Sequence, residues 1–437
     1  MQNISGPGVM VLSLVCIACI LTAGCDYVPN RDIVVIRLHP DGTTAWTTVI
    51  DTGYDDAARD FVEEPDGGFV IAGVNTSRRM GERQARLVRL SPGGSIAWDR
   101  VIPGVQGEPT AVIAVPGGGY AAVSFDGELW RIDENGAVLW RTSTGLGGVW
   151  TLAVTGDGGF IVAGIRDDRI PFGSVAVYHE DGTVSYRDPE PGEPAKTPGC
   201  SETAIPIGPD KTIMVTQCTV PFELVRQAAV VKLDADGGIS WMKSYGGQGL
   251  ESAWSVVEAP DDSGYLVAGY GSVPDGDGNR SNYIATIRIG PDGSVLHTTI
   301  LDTIEYFGVP RLRSDPAGFD MLSINTTIRD GSIITTPVDV RLDIQGALVE
   351  TRLIDTGIMI TWTEDGGYFS AGFPLAGGQS ASIYGKAGPN RLHAVKIGPG
   401  GNQEWDREIP GVQINHVQNV IQTADGGFAI LAIRENY

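Results

Sequence analysis

The chain has 437 residues and a formal charge of −22, from 53 acidic against 31 basic side chains. None of these charges falls within residues 1–24, and so acidic a remainder opposes binding to nucleic acid or to anionic lipid headgroups. Sixty glycines and a mean hydropathy near zero suit a turn-rich all-β chain rather than a helical or disordered one.

Residues 9–21 form an apolar run that ends in Thr22-Ala23-Gly24-Cys25. The run fits the hydrophobic region of an export signal and is short for a bilayer span, which needs about 20 residues. Small residues followed by a cysteine resemble the bacterial lipoprotein signal. That resemblance implies lipidation of Cys25 and removal of residues 1–24. Thr22 stands where such signals usually carry leucine, and the leading residues 1–8 hold no lysine or arginine. Residues 25–30 then read as a short linker, and 31–437 as one domain.

Two hairpin signatures alternate through that domain. The first is Asp66-Gly67-Gly68-Phe69-Val70-Ile71-Ala72-Gly73, which returns at Asp157-Gly158-Gly159-Phe160 and Asp365-Gly366-Gly367-Tyr368. Looser copies lie at Gly118-Gly119-Tyr120, Ser263-Gly264-Tyr265, Ala317-Gly318-Phe319 and Asp425-Gly426-Gly427-Phe428, and a worn one at Pro209-Asp210. Asp-Gly ahead of an aromatic and a short apolar run is a turn feeding a strand. The second signature runs from aspartate through glycine to tryptophan, as in Asp133 to Trp140 and Asp234 to Trp241. Further copies end at Trp46, Trp98 and Trp405, while Tyr186, His297 and Glu350 occupy the tryptophan place in degenerate ones.

Each period reads as four strands, shown by 254–258, 265–269, 283–289 and 294–298. Four-stranded units about fifty residues apart specify a β-propeller. The chain opens on strands three and four of a unit (33–38 and 43–49), and seven full units follow. It closes on strands one and two (416–422 and 427–433). The expectation is an eight-bladed all-β propeller whose first blade is shared by both termini, which would tie down two otherwise open edges.

These hairpins resemble the tryptophan-docking repeats of quinoprotein-like (PQQ-like) eight-bladed propellers. They resemble still more closely the Asp-Gly-Gly-repeat propellers of exported prokaryotic proteins. The aspartate-to-tryptophan gap here is one residue shorter than in the quinoprotein repeat. The resemblance spans residues 31–437 and implies the fold, without carrying over an active site.

Short glycine turns should occupy one face of the ring and variable connections the other. The long connections expected on the variable face are 187–200, 270–282 and 374–389. Variable loops on a rigid scaffold are where binding usually sits. Asp275, Asp277 and Asn279 have the alternating oxygen spacing that can wrap Ca²⁺, although Arg280 and Thr286 stand where a calcium loop wants glycine and glutamate. Cys200 and Cys218 lie nine residues either side of Pro209, so a hairpin there would set them nearly opposite, within disulfide reach. His39 and His179 fall in turns, His297 replaces a tryptophan, and His393 and His416 lie on strands, with no hydrolase or phosphate-loop motif nearby. Arg37, Arg89, Arg131, Lys232, Arg288, Arg341 and Lys396 share one repeat position, where pairing with acidic neighbours is the expected role. The tryptophans should pack between blades rather than hold ligands.

The reading is an extracytoplasmic, lipid-anchored, non-enzymatic scaffold at the envelope that binds a protein or glycan and requires no cofactor. The alternatives are a quinone-cofactor dehydrogenase, which the adjacent cysteine pair usual in such enzymes would favour but which is missing here, and a carbohydrate-active hydrolase, which needs two converging carboxylates.

Overall fold

In a computed structural model, the described residues are 30–76, 83–103, 107–155, 158–166, 172–188, 200–206, 212–219, 226–234, 239–245, 250–274, 280–301, 310–329, 332–354, 359–373, 391–411 and 413–436. They hold 32 strands and no helix, grouped into eight four-stranded antiparallel sheets. Four-stranded antiparallel sheets of this kind are arranged as the blades of a propeller.

The first sheet joins both ends of the chain. Its order is β2 (Thr44–Ile50), β1 (Asn30–Leu38), β32 (Phe428–Asn436) and β31 (His416–Gln422). Strand β1 pairs with β32 over nine residues, from Asn30 opposite Asn436 to Leu38 opposite Phe428.

The other sheets are sequential meanders. The second is β3 (Asp55–Glu63), β4 (Phe69–Thr76), β5 (Arg83–Leu90) and β6 (Ile96–Val101). The third is β7 (Pro109–Ala114), β8 (Tyr120–Ser124), β9 (Glu128–Ile132) and β10 (Val138–Ser143), and the fourth is β11 (Gly147–Val154), β12 (Phe160–Arg166), β13 (Phe172–Tyr178) and β14 (Val184–Asp188). The fifth comprises β15 (Cys200–Pro206), β16 (Thr212–Thr219), β17 (Arg226–Leu233) and β18 (Ile239–Ser244). Next come β19 (Ser252–Glu258), β20 (Tyr265–Pro274), β21 (Arg280–Ile289) and β22 (Val295–Leu301) in the sixth. The seventh holds β23 (Arg311–Asp315), β24 (Gly318–Arg329), β25 (Ser332–Asp343) and β26 (Leu348–Leu353), and the eighth holds β27 (Met359–Trp362), β28 (Tyr368–Gly372), β29 (His393–Ile397) and β30 (Gln403–Glu408).

Where their side chains are described, the two middle strands of the sheets are largely covered on both faces, which is why their apolar residues run on without alternation. Strand β4 is buried from Phe69 to Asn75, and β8 is buried along its whole length. Alternate residues serve different neighbours. Phe69 and Ile71 pack with Ile33, Val35 and Leu431 of the first sheet, while Val70 and Ala72 pack with Val112 and Tyr120 of the third. The core is therefore a ring of inter-sheet layers.

The Asp-Gly-Gly turn closes tightly. Gly67 N–H donates to the Glu64 carbonyl at 2.8 Å and Glu64 N–H to the Gly68 carbonyl at 2.9 Å. Only the first glycine lies at positive φ (+83° at Gly67), so the loop is a three-residue hairpin ending on a left-handed residue. Asp66 accepts from Gly68 N–H at 2.8 Å, and Asp365 and Asp425 do the same for Gly367 and Gly427.

One register feature recurs in all eight sheets. The outermost strand slips by one residue immediately before the tryptophan place, as between Arg37↔Trp46 and Leu38↔Thr44, leaving Ala45 unpaired. Leu139, Ser240 and Glu404 are the bulged residues at the same point elsewhere. A bulge re-aims the side chains beyond it, and here it turns each tryptophan onto the next sheet.

One expectation needs correction, and one pairing is defined more closely. The segment 270–282 is not a long connection, since β20 and β21 continue their ladder out to Pro274↔Arg280. Cys200 and Cys218 lie on adjacent strands, but Cys200 opposes Gln217 and Cys218 opposes Gln227, one step from direct pairing. The symmetric hairpin overlooked a bulge in β15 between Ser201 and Thr203. The cysteine side chains lie outside the described residues, as do Cys25, Asp275, Asp277 and Asn279.

Candidate functional site

The repeated side chains are absorbed by the scaffold. Trp46 Nε1 donates to the Pro92 carbonyl of the following sheet at 2.9 Å. Trp98 reaches Glu134, Trp140 reaches Glu180 and Trp241 reaches Pro291 in the same way, at 2.9–3.0 Å. Trp405 closes the series by donating to Pro40 of the first sheet at 3.1 Å. Each ring covers the turn glycine beside its acceptor, so that a Cβ on Gly42 would come within 2.7 Å of Trp405. The tryptophans also pack edge-on against the aromatic of the next sheet, as Trp46 does on Phe69 at 5.9 Å between centroids.

The repeated cations fold back onto the first turn of their own sheet. Arg89 pairs with Glu64 and with Asp66 at 2.7 Å, Arg341 with Asp315 at 2.7 Å, and Lys396 with Asp365 at 2.8 Å. Arg131 donates to the Ile132 carbonyl at 2.7 Å and to that of Gly118 at 2.7 Å. Burial pushes the Asp365 carboxyl up, but the Lys396 ammonium, the Thr363 hydroxyl and Gly367 N–H override that and hold it at about 2. These residues fix hairpins. They leave no ring of unpaired cations for a ligand.

Among the described residues, the opposite face carries a set of ion pairs that link the first three sheets. Arg31, near the start of β1, grips Asp55 through two bonds of 2.7 Å, a bidentate arrangement stronger than a single contact. Arg59 Nε meets Glu108 at 2.8 Å, and Arg83 approaches the same carboxylate at 3.7 Å. Arg59 and Arg83 are about half exposed, at 45% and 55% of their side chains. His416 faces Glu435 at 3.8 Å across the last two strands.

Beneath this layer, Asp32, Asp51 and Asp56 each bring one oxygen within 4.8 Å of the others. Asp32 and Asp56 have no exposed surface. Arg434 donates to Asp32 at 2.9 Å, and Asp56 accepts from Thr52 N–H at 2.9 Å and its hydroxyl at 2.8 Å. Burial raises the Asp56 carboxyl to about 6, with Asp32 adding to the rise and Thr52 and Arg86 opposing it. Such hard oxygens suit Ca²⁺, which takes about six to eight; three are present here, and all three carboxylates already have protein donors, Asp51 accepting from Gly53 N–H at 2.7 Å. The trio is assembled from β1, the β2–β3 connection and β3. No spacing in the sequence could have revealed it.

Of the histidines, His39 and His179 close turns through their backbones, His393 meets Asp406 at 2.8 Å, and His297 opposes Arg288 in register. Among the described residues they do not assemble with one another or with the acidic trio. No protein-family model matches the chain, and no curated protein matches it.

Proposed function

We propose that the chain is an exported, lipid-anchored and non-enzymatic scaffold that binds a protein or glycan on the face opposite its glycine turns. The observation that carries this reading is the division of labour between the faces. Tryptophans and cations of the repeat are spent on turns and seams, whereas Arg31, Arg59, Arg83 and Glu108 on the other face join three sheets while keeping exposed surface.

The eight four-stranded sheets support an eight-bladed ring of the Asp-Gly-Gly-repeat kind, similar to quinoprotein propellers, and the bond from Trp405 to Pro40 supports its closure. Export and the anchor at Cys25 rest on the N-terminal sequence. With their indoles engaged between sheets, the tryptophans offer little to a quinone. Asp32 and Asp56 have no surface with which to touch a glycosidic bond, which weighs against hydrolysis.

A photo-crosslinking residue at Arg83, compared with one at Asn135 among the glycine turns, tests the proposal in intact cells. Discrete adducts from position 83 alone are expected. Equal labelling from both positions, or none from position 83, would overturn the assignment of the binding face.

A further inference from the structure

The seam between the seventh and eighth sheets departs from the repeat in three ways. Its tryptophan place is Glu350, so no indole reaches the Pro399 carbonyl; Arg352 approaches that oxygen at 3.5 Å while bonding Glu350 at 2.6 Å. Second, two positions that carry no charge in the other sheets hold buried acids. Asp320 stands where other sheets have Val70, Ala121, Ile161 and Leu266, and Asp339 where they have Val35, Leu87, Leu129 and Val230. Both aspartates are 5% exposed.

Third, the polar atoms there are incompletely satisfied. Asp320 is shared by Arg313 at 2.6 Å and Arg341 at 2.5 Å, and Asp315 also binds Arg341. Asp339 shares a hydrogen bond with Tyr368 of the eighth sheet, but its Oδ1 has no partner. Arg313 Nε, Trp362 Nε1 and Ser370 Oγ on the same seam lack hydrogen bonds too, although the Arg313 guanidinium lies over the Trp362 ring at 5.2 Å. Orphaned buried polar atoms carry a desolvation cost that apolar packing avoids. The remaining apolar contact is small, built on Leu322, Ile354, Ile360 and Tyr368.

We propose that this seam is where the ring loosens, and that ionisation of Asp339 drives the loosening. Local opening concentrates where apolar contact is least and polar groups are least satisfied. The charged groups facing Asp339 are Arg311, Arg313 and Asp315 from β23, Asp320 from β24, Arg341 from β25, Glu350 and Arg352 from β26, and the phenol of Tyr368 from β28. His393 and Asp406 bond to each other on β29 and β30. Arg341 and Arg313 pair with Asp320, Arg341 also with Asp315, and Arg352, directly opposite Asp339, with Glu350, so none of these three makes an ion pair with Asp339.

Burial raises the Asp339 carboxyl, and Asp320 adds to the rise against the Tyr368 bond, Arg352 and Arg313. A carboxyl raised on folding contributes stability that is complete below its unfolded value, about 3.8–3.9. That contribution is lost as pH climbs through the folded value. The seam is therefore tightest in acid and loosens toward neutrality.

Hydrogen exchange of the full chain, read by mass spectrometry from about pH 3 to 8 so as to span the rise from the unfolded value, and corrected for intrinsic rates, tests this. Peptides from 311–329 and 359–372 should open more as pH rises across the Asp339 titration, by up to about tenfold per pH unit for one linked proton. Peptides from the fourth and sixth sheets should not follow, whereas the second sheet carries its own raised carboxyl at Asp56 and is no control. Asp339→Asn should abolish the pH response, and Glu350→Trp should slow opening throughout while leaving the response in place. An unchanged response in Asp339→Asn, or seam peptides no more pH-dependent than the others, would overturn the proposal. If Asp339→Asn fails to fold, the wild-type peptide comparison and Glu350→Trp still decide.

Discussion

Gly67 and Gly68 are adjacent, yet each is required for a different reason. Gly67 has φ of +83° with only Pro92 Cβ near, at 4.0 Å from where its own Cβ would stand. The constraint is conformational, and alanine there costs about 1–2 kcal/mol. Gly68 has ordinary φ, but a Cβ would come within 2.6 Å of the Leu90 carbonyl and 2.9 Å of Asp66. That constraint is steric, and overpacking against backbone costs about 1–3 kcal/mol. Asparagine tolerates the left-handed region, so Gly67→Asn should recover much of the loss from Gly67→Ala, whereas Gly68→Asn should be no better than Gly68→Ala. Denaturant midpoints of the four variants check this, and recovery at position 68 would refute the steric account. The repeated cation completes the arrangement: in the closing hairpin Gly427 is approached by the Arg37 guanidinium, which pairs with Asp425.

At the scale of elements, the sequence located strands well where turn chemistry punctuates them. The last inner strand, expected at 416–422, is β31 itself. The middle strands of the sixth sheet proved longer than expected because pairing continued through Gly271, Ser272 and Pro274, whose local preferences oppose strand. Bulges were illegible, since one extra residue before Trp46 or Trp405 leaves no mark on composition. The acidic trio was hidden for another reason, because its members meet only through the sheet pairing. By contrast, Glu350 was legible in the sequence as a missing tryptophan at the seven–eight seam, whereas Asp320 and Asp339 gained meaning only once the strands fixed their positions. The fifth sheet, whose 1–2 turn has neither glycine, carries the remaining prediction at this scale. Cys200 and Cys218 sit on its adjacent strands β15 and β16, and in the exported protein they should be bonded, contributing about 3 kcal/mol in the chain-entropy account. Alkylation of the denatured, unreduced protein should then spare both. Labelling of both would show that the one-step offset keeps them apart.

For the whole molecule, stability depends on how the ring begins and ends. Strands β31 and β32 come from the C-terminus and β1 and β2 from the N-terminus, joined by the nine-residue ladder between β1 and β32. The seam beyond is filled by a large apolar and aromatic cluster. Phe369 stacks on Phe428 at 4.1 Å, and Trp405 packs edge-on against Phe428 at 5.7 Å. Leu392, Ile409 and Ile414 complete that cluster with Val34, Ile36 and Ile430. Truncation after Gly411 removes two strands and exposes the full edge of β1, together with the apolar faces of the first and eighth sheets. An open, hydrophobic edge of that length is a template for association. The truncated chain should therefore aggregate or unfold at a much lower temperature than the full chain. Trp405→Ala, which removes only the indole bond to Pro40 and its packing, should cause a smaller fall of the same kind. Scattering and thermal melts of both variants distinguish a closed ring from a frayed end. A truncated chain that stays monomeric and melts with the full one would mean that the first sheet does not close the ring.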